Sequence, residues 1–279
     1  MTVLTAVKCS VPTLTHVIPS QDSHRVNAVT SLDDDVFVTR YTSQQVEVYD
    51  AITSTLRRHI TVEGLSGCVS GITACTRNKC LYLSNNDNNS VNRVELSDSN
   101  TLKQWSVASF PVGLSVNIAH NLVVTCKGAN KLQEYTTQGS LVREICLQSG
   151  VTSPWHAIQL SSGDYVVSQW MSPGVVSVVG VDGQVVHSYG QSETSNVGQM
   201  EFPTSLAVTR NDNILVADEH NNRILLMNRS MDCIQELALS VDSGIHHPYG
   251  LCLDESRGRL YIGEEGGQNR VLIFDGVNL

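Results

Sequence analysis

The side chains of this chain best suited to metal chemistry are four histidines, His156, His220, His246 and His247, and three oxygen donors, Asn85, Asp218 and Glu264. Three imidazoles can hold zinc with a position left open for water, and carboxylates with an amide can hold a harder cation such as calcium. The histidine spacing is irregular, and His220 and His246 fall in polar loops. Asp218 with Arg223, and Glu264 with Arg270, stand on either side of a short turn, where an ion pair would brace the hairpin. Arg40 and Cys126 occupy the corresponding positions of other segments and suit a cation poorly. The expectation is therefore no metal and no other cofactor. Nucleophilic catalysis finds neither a G-x-S-x-G elbow nor a phosphate-cradling glycine loop, and the balance is against an enzyme.

A second kind of chemistry is recognition. Trp155-His156 and Gln169-Trp170-Met171 lie close in sequence in a chain with only 5% aromatic residues. Tryptophan and methionine in loops give large contact areas that a partner can desolvate. Tyr249 opens a comparable segment, while Arg40, Tyr41 and Lys127 add charge and a further ring. The candidate binding set is thus Arg40, Tyr41, Lys127, Trp155, His156, Trp170, Met171 and Tyr249. The competing reading for Trp155 is packing between repeats.

These residues are positioned by a repeat. Six times an apolar strand crosses a polar turn and restarts, most clearly in ILVADEHNNRILLMN (Ile214 to Asn228) and LYIGEEGGQNRVLIFD (Leu260 to Asp275). The restart points Val46, Val94, Leu132, Val176, Ile224 and Val271 recur at a period that suits a four-stranded propeller blade. A strand precedes each hairpin (VNAVTSL, SGITACT, VGLSVNI, WHAIQL, TSLAVT, YGLCLD) and a fourth follows the first five. Alternating apolar and polar residues favour strands throughout. The prediction is one all-β domain over 1–279, a six-bladed propeller of antiparallel blades. The sixth repeat lacks a fourth strand, and TVLTAVKC (Thr2 to Cys9) is assigned that place, so that the N-terminal strand closes the ring. Because strands alternate in direction, the loops after the second strands share one face, the upper face, with the loops between blades. All eight candidate binding residues map there.

The pattern P-x-G-apolar-x-apolar, then apolar-x-apolar-A-D, then N-R-apolar resembles the NHL-repeat family of six-bladed propellers. It is best matched in Pro203 to Asn228 and Pro248 to Asp275, with Pro111-Val112-Gly113-Leu114 in the same style. The resemblance implies an interaction platform, often the C-terminal targeting domain of tripartite-motif (TRIM) ubiquitin ligases that recognise protein or RNA. It also brings in propeller lyases and lactonases that hold a metal in the central channel, as an alternative function.

Charge narrows the partners. A formal net charge of -9 opposes a non-specific grip on nucleic acid or an anionic membrane. RNA is accordingly the second choice behind a protein partner, and no membrane partner is expected. No apolar run reaches the roughly 20 residues that span a bilayer. Eight scattered cysteines without a C-x-x-C pair read as buried thiols of a cytoplasmic protein.

Overall fold

The computed structural model describes residues 11–20, 24–62, 69–96, 102–190, 198–232, 234–240 and 244–279. Six four-stranded antiparallel sheets are arranged as the blades of a propeller. Five are built in chain order from inner to outer strand, beginning with the inner strands Val26–Leu32, Val69–Cys75, Pro111–Val116, Pro154–Gln159 and Pro203–Val208. The sixth takes three strands from Pro248–Asp275 and its outer strand from the other end of the chain. Among the described residues no helix is long and apolar enough to cross a membrane.

Ring closure by an N-terminal strand holds, but the strand is a later one than expected. Thr13–Ile18 pairs antiparallel with Val271–Asp275, with Leu14 opposite Phe274 and Ile18 opposite Val271. The expected segment, Thr2 to Cys9, lies outside the described residues. TLTHVI alternates as an outer strand should: its first five residues run from exposed to half-buried, and Ile18 is fully covered.

Burial follows the layering. The second and third strands of the blades are nearly all buried, for example Leu215 and Ala217 on one side and Val216 on the other, because each blade is covered on both faces by its neighbours. Six apolar clusters result, one at each blade junction around the ring. Outer strands are wet, as in Val185–Tyr189, where four of five residues are exposed.

The inner strands must converge on the axis, and the glycine of P-x-G permits it. A Cβ on Gly113 would sit 2.5 Å from the Trp155 carbonyl oxygen, and one on Gly71 would sit 2.4 Å from that of Val112. The equivalent residues, two after the start of each inner strand, are Ala28, Gly71, Gly113, His156, Ser205 and Gly250. Only blade four places a large side chain there.

Candidate functional site

Each blade repeats one junction on the upper face. The first residue of the inner strand (Val26, Val69, Pro111, Pro154, Pro203, Pro248) pairs with the last of the second strand (Arg40, Asn85, Cys126, Gln169, Asp218, Glu264). All six residues of this second set are at most 1% exposed. Their side chains turn inward, and four of them latch the loops, Arg40 by donating to the His24 carbonyl at 3.2 Å. Gln169, Asp218 and Glu264 accept the backbone N–H of Thr152, Glu201 and His246 at 2.7, 2.7 and 2.9 Å, in each case two residues before the inner-strand proline. Asp218 and Glu264 also bind Arg223 and Arg270 at 2.7 and 2.8 Å. The carboxylates are therefore hairpin braces.

Strand alternation turns the next residue outward. That position holds Tyr41, Asn86, Lys127, Trp170, Glu219 and Glu265. Four of these N–H groups donate to the residue preceding the neighbouring inner strand: Tyr41 to Arg25, Lys127 to Phe110, Trp170 to Ser153 and Glu265 to His247, at 2.9 to 3.1 Å. The acceptors Phe110, Ser153 and His247, with Phe202 in blade five, have φ of 56°, 52°, 45° and 54° and precede the inner-strand prolines. A left-handed backbone costs a non-glycine residue about 1 kcal/mol or more. Here it lifts the side chain onto the upper face. A register irregularity then follows the first inner-strand residue in all six blades, and the unpaired position carries Trp155 in blade four and Tyr249 in blade six. Bulges re-aim side chains, and these two rings reach the channel mouth.

Together these positions form a continuous aromatic and cationic arc. Trp155 lies against Trp170 (centroids 5.1 Å) and edge-on to Tyr249 (6.0 Å). Trp170 meets Phe202 (5.3 Å), which stacks on His220 (4.4 Å), and His220 meets His247 (5.4 Å). The Lys127 ammonium sits over both tryptophans, 4.7 Å from Trp155 and 4.5 Å from Trp170. On the other side the Arg25 guanidinium lies 4.2 Å from the Tyr41 ring and 5.6 Å from that of Tyr249, and it is ion-paired with Glu265. Burial holds the Lys127 amine below its ordinary pKa, and no carboxylate pairs with it among the described residues. Glu219 accepts the Trp170 indole N–H at 3.3 Å and is only 4% exposed. Burial raises its carboxyl pKa, against the opposing pull of that N–H.

Five of the eight predicted residues, Tyr41, Lys127, Trp155, Trp170 and Tyr249, meet in this arc. Met171 flanks it, with its sulfur 3.7 Å from the Thr152 hydroxyl. Arg40 does not belong there. It is 1% exposed, bound to Glu47 at 2.9 Å and to the carbonyls of His24, Asn269 and Pro19, because its side chain follows the inward phase of the strand. His156 also leaves the contact set. Its Nδ1 accepts the Leu206 N–H and its Nε2 donates to the Leu114 carbonyl, both at 3.0 Å, which ties three inner strands together. Burial pushes its pKa down to about 4. Sequence reasoning missed Arg25, Phe110 and Phe202. Their shared signal is the place immediately before an inner strand.

The inner strands enclose a channel of about 240 Å³. Its lining carries no carboxylate, lysine or arginine among the described residues; its candidate metal donors are His156 and the Cys252 thiol. His156 has both nitrogens engaged and Cys252 contacts the Ser31 hydroxyl at 3.4 Å, so the channel offers no ligand set for the lyase or lactonase alternative. On the rim, in contrast, Glu219, His220 and His247 bring one donor atom each within 4.8 Å of one another.

Comparison with known proteins agrees with the fold. The family model described as NHL repeat matches residues 200–225, the blade-five hairpin with its Asp218–Arg223 brace. No curated protein matches the chain. Among solved structures, a streptogramin B lyase aligns at a TM-score of 0.67 with 12% identity, covering 93% of this chain and 86% of that one. Virginiamycin B lyase from Staphylococcus aureus aligns at 0.65 with 12% identity over 93% and 88%. Hydrazine synthase from Kuenenia stuttgartiensis aligns at 0.66 with 13% identity over 95% and 99%. At such identities the likeness is one of fold: the chain is an all-β propeller of six blades carrying an NHL repeat.

Proposed function

We propose that this propeller is a protein-recognition module and that the arc from Tyr41 to Phe202 is its contact surface. The observation that carries the reading is Lys127. Its half-buried ammonium is held over two indole rings with no carboxylate partner among the described residues, so an incoming acceptor can take its N–H donors. A partner segment that sets a carboxylate or carbonyl on Lys127 and an apolar or aromatic side chain against Trp155, Trp170 and Phe202 satisfies both halves of the site.

RNA could also stack on such rings. The cations needed to follow a phosphate backbone are committed elsewhere: Arg25 to Glu265, Arg223 to Asp218 and Arg270 to Glu264. With a net charge of -9 around them, a protein segment fits better. The finer reading, a cytoplasmic targeting domain of a TRIM-type ubiquitin ligase, rests on the NHL resemblance. It is tested by reading the flanking coding sequence for a RING and coiled coil.

The direct test compares captured partners between the native chain and a Trp170→Ala, Met171→Ala variant of unchanged fold. Loss of the partner supports the site, and retention counts against it. An RNA gel shift at low salt is expected to show no arc-dependent complex; a shift abolished by Trp170→Ala would transfer the surface to RNA.

A further inference from the structure

We propose that Glu219, His220 and His247 form a binding site for a zinc-type divalent cation where blades five and six meet. The site lies on the rim of the upper face, outside the channel, and owes nothing to the identity of a protein partner.

The donor set comes from two loops. Glu219 and His220 belong to a short 3-10 turn, Glu219–Asn221, between the second and third strands of blade five, and His247 ends the loop leading into blade six. Those loops are fastened at the backbone, since the His247 N–H donates to the Asn222 side-chain oxygen at 2.8 Å. Asn222 holds a left-handed conformation with φ of 54°, which ends the turn and presents that oxygen. His247 in turn needs Gly266, where a Cβ would meet its ring at 2.7 Å. Backbone latch and glycine opening together place the His247 backbone beside Glu219 and leave room for its ring to turn.

The carboxylate is prepared in the same way. Trp170 holds Oε2 from one side, which leaves Oε1 facing His220 Nε2 at 3.7 Å and His247 Nδ1 at 4.0 Å. Burying a carboxylate is costly unless a cation compensates it; the Arg25 guanidinium acts on Glu219 but is shared with Glu265, and the two rings facing Oε1 carry charge only when protonated. A divalent ion meets that demand with both imidazoles neutral.

Two imidazoles and one carboxylate are a recognised zinc donor set, with the fourth position left to water or an incoming group. Bond lengths near 2.0–2.1 Å imply donor separations of about 3.4 Å in a tetrahedron. The three atoms lie within 4.8 Å of one another, and the two imidazoles, 42% and 43% exposed, can rotate to close the difference. In the sequence His156 and His246 group with these two on the upper face, without equivalent strand positions. His156 belongs to the channel wall, and His246 is an exposed neighbour whose backbone serves the Glu264 latch.

The test uses the full chain after chelator treatment. Zinc uptake is followed against a chromogenic competitor, and cobalt substitution by its visible d–d absorption. One equivalent is expected to bind. Glu219→Gln, His220→Ala and His247→Ala should each weaken uptake by about tenfold or more, and Trp170→Phe, which removes the orienting N–H, by about tenfold. His246→Ala and Cys146→Ser should leave it unchanged. His220 is exposed, so its variant retains the fold even if Glu219→Gln does not. Absence of stoichiometric uptake, or uptake indifferent to His220→Ala and His247→Ala, overturns the site.

Discussion

Lys127 and Trp170 show how one step along a strand decides between structure and function. The strand-end residues Cys126 and Gln169 are sealed between blades, whereas the residues after them reach the rim. Sequence spacing located both sets, and Tyr41, Lys127 and Trp170 were legible because they fall just past a recognisable strand. Arg40 was misjudged by one position of a two-residue period, and Phe202 was hidden because a positive φ before a proline leaves no apolar pattern to read. Truncating Trp155 or Trp170 to alanine should cost a partner about 2 kcal/mol or more, roughly thirtyfold in Kd, by calorimetry or fluorescence titration. Lys127→Ala should cost less, about 0.5–2 kcal/mol.

His156 makes a separate residue-scale prediction. Its neutral form satisfies both nitrogens, and protonation would set a second N–H against the Leu206 donor. The folded pKa is depressed to about 4 from an ordinary 6.5, so the unfolded chain takes the proton first as pH falls. Its contribution is therefore flat above pH 6.5, declines between 6.5 and about 4, and is lost below, by as much as about 3 kcal/mol. Urea titrations across that range should show the decline, and His156→Gln should flatten it.

At the scale of the element, the hairpin brace and loop latch are one device. Glu264 joins Arg270 and the His246 N–H, with both charged side chains at most 7% exposed. Removing one partner of such a pair leaves an uncompensated buried charge, so Glu264→Ala should destabilise by about 3–5 kcal/mol in denaturant melts. The N-R turn was readable in the sequence as an ion pair. Its second task, holding the loop that leads into the blade's own inner strand, was not, because His246 and Glu264 stand 18 residues apart and no local pattern records their contact. Small residues next to the axis follow the same logic, and Gly113→Ala would drive a methyl into the Trp155 carbonyl.

For the whole molecule, closure couples the ends of the chain. Blade architecture and the need for an N-terminal closing strand were legible from the repeat period and the short sixth repeat. Which segment closes the ring was not, since several short alternating stretches compete and only the register with Val271–Asp275 selects Thr13–Ile18. Deleting residues 1–18 should uncover the edge of the sixth blade, lower the melting temperature and promote association in sedimentation experiments. Placing one site on a face built from loops of every blade leaves the core untouched when the site changes.

The claim that this face recognises protein through its arc is tested most directly by selecting displayed random peptides on the native chain and measuring the winners on a folded Trp155→Ala, Trp170→Ala double variant. Affinity should fall by about a hundredfold or more, with acidic or C-terminal carboxylate groups enriched beside aromatic residues in the selected peptides. Dominant peptides that bind both chains equally would contradict it.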